Sequence, residues 1–303
     1  MRHTFRLTSQ IKRGGVSVNT TRQGAAVNAS GIGVEGPRGW AFRGIGITAE
    51  PGTLIAVQGP SGSGRTCLLL ALTGRMRITE GEATVSGLPL PKRMGTVRSR
   101  TALAHVPGVA DLEPALTVGE HLKEQALLGH RVKGSLSASL PWGKRHKEAT
   151  RARIDAALAA ARLDPGTLPK GLRTAVRDLE RIEALRLSVA LGLMHGPQLL
   201  AVDDVDLKLS DAERTEAWQL LLDLTREGLT VVAAGDGAPA DALTVSTART
   251  DSEAAGTART DSEAAGTART DSEAADPTPT PVQDDTQTPE EEAAHAFAKT
   301  GRA

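Results

Sequence analysis

Three short apolar runs stand out along a chain that otherwise mixes polar and apolar residues. They are Leu54-Ile-Ala-Val57, Leu199-Leu-Ala-Val202 and Thr230-Val-Val-Ala-Ala234, and none alternates with charged positions. Runs of this kind suit strands buried on both faces of a parallel sheet. Between them apolar residues recur at helical spacing over residues 147–162, 179–194 and 211–226, and a leucine-rich helix starts near Thr66. Ser210, with Glu213 three residues on, predicts a capped start for the last of these helices. Strands alternating with helices predict an α/β fold with a mostly parallel sheet.

The pattern fades at both ends. Residues 1–27 are polar and show no period, so they are expected to be loose, with the compact domain over residues 28–246 and a helical insertion at about 96–190. From Thr247 the segment Thr-Ala-Arg-Thr-Asp-Ser-Glu-Ala-Ala-Gly fills 247–256 and recurs at 257–266 and, ending in Asp276, at 267–276. No copy has an apolar face, so nothing offsets the entropy of ordering it. A disordered tail is expected over 247–303, with a Pro/Thr linker at 276–281 and a short helix start at Thr288-Pro-Glu-Glu291.

Composition narrows the classes. The 303 residues carry 36 basic and 36 acidic side chains, which argues against a general nucleic-acid binder. Aromatic residues make up 2% and tyrosine is missing, so the core must be aliphatic and base-stacking platforms are not expected. The single cysteine, Cys67, excludes a disulfide scaffold and a cysteine-based zinc site. No apolar stretch approaches the roughly 20 residues that cross a bilayer. The N-terminus is positive but no apolar stretch follows it, so no secretory leader is expected.

The candidate chemistry begins at Gly59-Pro60-Ser61-Gly62-Ser63-Gly64-Arg65-Thr66. Glycines let consecutive backbone N–H groups point inward at a phosphate, and the helix that follows adds its positive N-terminal dipole. A hydroxyl, here Thr66, suits Mg²⁺. The cofactor-binding set is therefore Gly59, Pro60, Ser61, Gly62, Ser63, Gly64, Arg65, Thr66 and the adjoining Cys67. Arg65 stands where such loops carry lysine. It keeps the charge in a longer, planar, forked head. The run Leu199–Val202 ends in Asp203-Asp204, which reads as a second acidic strand holding Mg²⁺ through Asp203. Asp203 and Asp204 are the candidate catalytic residues, and Thr66 and Asp203 the candidate metal ligands.

Three stretches carry a more specific resemblance. Residues 51–74 run from Pro51-Gly52 through the phosphate loop to Leu72-Thr-Gly74. Residues 116–122 read Leu-Thr-Val-Gly-Glu-His-Leu, and 195–204 read His-Gly-Pro-Gln-Leu-Leu-Ala-Val-Asp-Asp. Together, over roughly residues 28–245, they resemble the ATPase subunit of an ATP-binding cassette (ABC) transporter. The resemblance implies a P-loop NTPase fold of ABC type with an inserted helical subdomain. It also implies ATP and Mg²⁺ as ligands, a dimer of nucleotide-binding domains, a separate transmembrane subunit, and a cytoplasmic place on the inner face of the membrane.

It also implies a degenerate site. The family's Q-loop glutamine position holds Gly108, and its LSGGQ signature falls on Leu179-Glu-Arg-Ile-Glu183. There Arg181 and Ile182 are expected to obstruct the approach of a phosphate, and Glu180 to repel it. The general-base glutamate position holds Asp204, the switch histidine position Asp236 and the D-loop aspartate position Ser210. Trp40 and Phe42 are the candidates for the aromatic that stacks on adenine. Two readings stay open: an energising ATPase with slow chemistry, and a nucleotide-binding module that does not hydrolyse. A small-molecule kinase is a third, which residues 116–122 and the long gap between Gly59 and Asp203 speak against.

Overall fold

The computed structural model describes residues 23–132 and 144–248, with the side chains of 129–146 left out. The repeats beyond Ala248, the Pro/Thr linker, the short helix start near 288 and most of the N-terminal segment lie outside the described residues. The elements run β1 (Val27–Gly36), β2 (Gly39–Ala49), β3 (Leu54–Gln58), α1 (Arg65–Leu72), β4 (Glu80–Val85), β5 (Leu88–Leu90) and α2 (Met94–Arg100). Then follow β6 (Thr101–Leu103), α3 (Val118–Val132), α4 (Lys144–Ala160), α5 (Arg181–Leu193), β7 (Leu199–Val202), α6 (Asp211–Arg226), β8 (Thr230–Ala234) and β9 (Leu243–Ser246).

Five strands form a parallel sheet in the order β6-β7-β8-β3-β9, and four form an antiparallel sheet in the order β2-β1-β4-β5. The three apolar runs are β3, β7 and β8, the centre of the parallel sheet, and nearly all their residues are buried. Alternate side chains face opposite layers. Leu54, Ala56, Leu200, Val202, Val231 and Ala233 join one core with α3, α4, α5 and α6. Ile55, Val57, Leu199, Ala201, Val232 and Ala234 join a second core with α1 and the antiparallel sheet. Full burial of the Leu, Ile and Val side chains among them contributes about 1.5–3 kcal/mol each, so one sheet welds both layers.

Several boundaries differ from the sequence reading. Packed structure begins before residue 28: Ala25 is fully buried, and its N–H lies 3.0 Å from the Gln198 carbonyl and 3.0 Å from the Thr230 hydroxyl. It reaches past 246, because Thr247 is 4% exposed and its N–H donates to the Gln58 carbonyl at 2.8 Å. The helical insertion begins later than 96, since β6 pairs with β7 inside the parallel sheet. The antiparallel sheet was not read from the pattern at all. Its strands carry glycines and charges, and the pairing that joins its two hairpins is distant in sequence, as in Val27↔Val85. The cap of α6 is as expected: Ser210 and Glu213 exchange hydrogen bonds in a capping box.

Candidate functional site

The phosphate-loop sequence forms the turn from β3 to α1, at the carboxyl end of the parallel sheet. Three glycines adopt positive φ: Gly59 at 153°, Gly62 at 79° and Gly64 at 87°. At Gly64 an added Cβ would strike the Ala41 carbonyl, so β2 closes the loop from outside. Gly64 is also the N-cap of α1, and no side chain caps that helix. Its first amides are therefore left to whatever anion the loop meets.

The second acidic strand ends beside this turn. Strand order places β3 and β7 on either side of β8, which brings their carboxyl ends together. The Thr66 hydroxyl donates to Asp203 Oδ2 at 2.5 Å, and Arg65 Nη2 lies 3.5 Å from Asp204 Oδ1. The two candidate ligands of the metal thus meet, although 137 residues separate them. Asp203 is 2% exposed, and its backbone N–H donates to the His105 carbonyl at 2.7 Å. Burial lifts the Asp203 carboxyl above the ordinary aspartate range. The Thr66 hydrogen bond opposes that rise and the neighbouring Asp204 charge adds to it. Asp204 takes a left-handed conformation, φ 45°, which an aspartate tolerates. Cys67 packs on the second core, and burial, followed by the Asp203 charge, raises its thiol pKa.

Two further contacts in the loop were not visible in the sequence. Asp204, read as a candidate base, is engaged by Arg65. Ser63 Oγ lies 2.6 Å from Thr247 Oγ1, a residue read as the start of the tail. Local motifs carry no signal for either, because the partners lie 139 and 184 residues away in the chain.

The substituted positions also have definite surroundings. Leu179–Glu183 forms the start of α5, with Glu180 as N-cap and Glu183 completing a capping box. Arg181 and Glu180 are exposed, but Ile182 is 6% exposed and turns into the first core. The expectation that Ile182 obstructs a phosphate is therefore corrected. Only Arg181 and Glu180 project outward. Asp236 is exposed, and its backbone is clamped on both sides: its N–H donates to Asp206 Oδ2 at 2.9 Å and its carbonyl accepts from Trp218 Nε1 at 3.0 Å. Phe42 is 2% exposed in the second core, which removes it as a stacking platform. Trp40 is half-buried, with the Arg43 guanidinium 4.6 Å from its ring centroid.

Comparison with known proteins agrees with this geometry. The family described as "ABC transporter" matches residues 42–206. The chain is 30% identical over 188 residues to the "Nod factor export ATP-binding protein I" of Cupriavidus pinatubonensis, covering 62% of this chain and 51% of that one. It is 25% identical over 213 residues to the "Fructose import ATP-binding protein FruK" of Bifidobacterium longum, covering 70% of this chain and 38% of that one. The chain spans about half the length of the first of these relatives. Among solved structures it is similar to the ATP-binding cassette MJ0796 bound to ADP and Pi, with TM-score 0.54 and 21% identity over 70% of this chain and 88% of that one. It is also similar to cbiO1 from Clostridium perfringens, with TM-score 0.56 and 18% identity over 71% and 80%.

Proposed function

The chain belongs to the ABC transporter family, and from that premise we propose that it is the ATP-binding subunit of an ABC transporter. In this reading it binds ATP·Mg²⁺ at Gly59–Thr66 and energises or gates a separate membrane subunit, as one half of a dimer of nucleotide-binding domains. The observation that carries the reading is the Thr66–Asp203 contact of 2.5 Å, which joins the phosphate loop to the second acidic strand. A hydroxyl and a carboxylate are hard oxygen donors of the kind Mg²⁺ takes. Thr66 and Asp203 would hold the ion, which supplies charge neutralisation at the phosphates. Arg65 would release Asp204 and pair with phosphate oxygens. The loop amides at the uncapped start of α1 would carry the remaining negative charge.

A second reading, a nucleotide-binding module without useful hydrolysis, is favoured by the capped start of α5. Arg181 and Ile182 occupy the places where the family resemblance puts two glycines, and the glutamates of the capping box flank them. The slower chemistry also agrees with Asp204, one methylene shorter than glutamate, since a misplacement of 1 Å costs about 10²-fold.

For the membrane partner, the support is on the helical insertion. Leu127 and Leu128 of α3 are 70% and 49% exposed, and Leu128 lines a cavity of about 300 Å³ together with Asp111, Glu113, His121 and Glu124. Apolar contact framed by carboxylates suits a basic segment of that subunit. No helix among the described residues is long and apolar enough to cross a membrane. The family membership supports a proposed location that is peripheral, on the cytoplasmic face.

Thermal melts test the core of the proposal. A ligand that binds only the folded state at 100 times its Kd stabilises by about 2.7 kcal/mol. ATP·Mg²⁺ is expected to raise Tm, and Thr66→Ala to reduce the Mg²⁺-dependent part. No shift at millimolar nucleotide would sink the reading.

A further inference from the structure

Thr247 is the first residue of the repeated decapeptide, yet it is 4% exposed and sits against the phosphate loop. We propose that Thr247 is a positioning residue of the nucleotide site, holding the loop in its binding shape through Ser63. The proposal rests on the reading of Gly59–Thr66 as a nucleotide site.

The placement follows from strand pairing. β9 runs parallel to β3 with Gln58 opposite Ser246, so the chain leaves β9 at the end of the sheet where the loop begins. The Thr247 N–H donates to the Gln58 carbonyl at 2.8 Å, and the Thr247 hydroxyl lies 3.2 Å from the same oxygen. A carbonyl cannot donate, so we assign the single hydroxyl proton of Thr247 to Gln58. The bond between Ser63 and Thr247, 2.6 Å long, must then use the Ser63 proton. The relay is directional: Ser63 donates to Thr247, and Thr247 donates to Gln58. It ties the middle of the loop back to the last residue of β3.

The same pair explains Gly59. A Cβ there would lie 2.5 Å from Thr247 Oγ1 and 2.6 Å from Ser63 Oγ, so the two hydroxyls occupy the space a side chain would need. A loop of glycines and serines is entropically costly to order. Fixing it beforehand removes that cost from the binding step, which is how preorganisation raises affinity. Coupling between sites is reciprocal. Nucleotide on the loop should therefore hold Thr247 more firmly and reduce opening of the chain just beyond it.

The test measures ATP affinity at fixed Mg²⁺ on the full chain, by calorimetry, for the wild type, Thr247→Val, Thr247→Ser, Ser63→Ala and the double variant Ser63→Ala/Thr247→Val. Loss of one net hydrogen bond corresponds to about a two- to tenfold weakening. Thr247→Val and Ser63→Ala should each show it, and Thr247→Ser should bind like the wild type. The double variant should bind no more weakly than Thr247→Val, because that change already removes the bond to Ser63. Trypsin cleavage after Arg249 should slow when ATP·Mg²⁺ is added to the wild type, and not in Thr247→Val. Should Thr247→Val misfold, Ser63→Ala removes the bond from the other side. Wild-type affinity in Thr247→Val or Ser63→Ala, or additive losses in the double variant, overturns the proposal alone. A wild type that binds no ATP overturns this proposal and the reading beneath it.

Discussion

Two helix starts in this chain treat their free backbone amides in opposite ways. α1 opens at Gly64 in a left-handed conformation, with no capping side chain and no acidic residue in its first turn. α5 opens at Glu180 in a capping-box arrangement with Glu183, whose carboxylate accepts from the Glu180 N–H at 2.9 Å. Every helix start exposes unpaired N–H groups and a partial positive charge. α1 keeps both for an external anion. α5 places its own carboxylates, Glu180 and Glu183, at that end, and those carboxylates repel a phosphate. A handful of residues therefore decides whether the same structural element can bind an anion or only terminates a helix.

The strongest way to break the contrast is to close α1. Gly64→Ala places a Cβ against the Ala41 carbonyl at a φ of 87°. Backbone strain of that kind costs about 1–3 kcal/mol. The variant is expected to lose stability and the whole ATP·Mg²⁺-dependent rise in Tm. A rise that survives would show that the uncapped turn is not the anion cradle.

The next test sharpens the contrast through turnover. The wild type should hydrolyse ATP below about 1 s⁻¹, the lower end of ordinary enzyme rates. Arg65→Lys, Asp204→Glu and Asp236→His combined should gain more than the product of the single gains. Arg65 and Asp204 are paired at 3.5 Å, and residues acting as a unit are non-additive. Glu180→Ser with Arg181→Gly should then add to the gain by opening α5. Ile182 is best left in place, because truncating a buried isoleucine costs about 2–5 kcal/mol. A wild type already at or above that rate would mean that α5 works as it stands.

Asp203 offers a test by pH. Its folded pKa is raised, so the fold favours the protonated form. Stability contributed there is present below the unfolded value of about 3.9 and declines as pH climbs through the folded value. Asp203→Asn removes the titration. Urea midpoints should place the variant above the wild type at neutral pH, with the gap closing toward pH 4. A gap that stays constant with pH would show that burial of the carboxylate is not its cause.

The smallest effect is expected at α5 itself. Glu180→Ala removes an N-cap, which costs about 1 kcal/mol, or about 2–4 °C in Tm for a domain of this size. An unchanged Tm would mean that the cap contributes nothing and that the glutamates matter only for their charge.

The elements that could be read in advance share one property: their determinants lie close together in the chain. β3, β7 and β8 announced themselves because burial on both faces demands an unbroken apolar run. α6 did so because Ser210 and Glu213 sit within one turn. β1 and β2 stayed hidden. Gly31, Gly33, Gly44 and Gly46 weaken their alternation, and register shifts interrupt their pairing.

For the site, the sequence by itself determined the phosphate turn, its glycines, its hydroxyls and the two aspartates, since turn and cap conformations answer to neighbouring residues. Only the tertiary structure decided which side chains meet. Thr66 reaches Asp203 across 137 residues, Arg65 reaches Asp204 across 139, and Ser63 reaches Thr247 across 184. It also decided that Ile182 faces the core and not the solvent. Those contacts follow from strand order. With β3 held between β8 and β9, and β7 beyond β8, chain segments with no local relation meet at the carboxyl end of one sheet. Strand order reflects how the apolar faces of the whole domain pack against one another, and no short stretch of sequence carries that information.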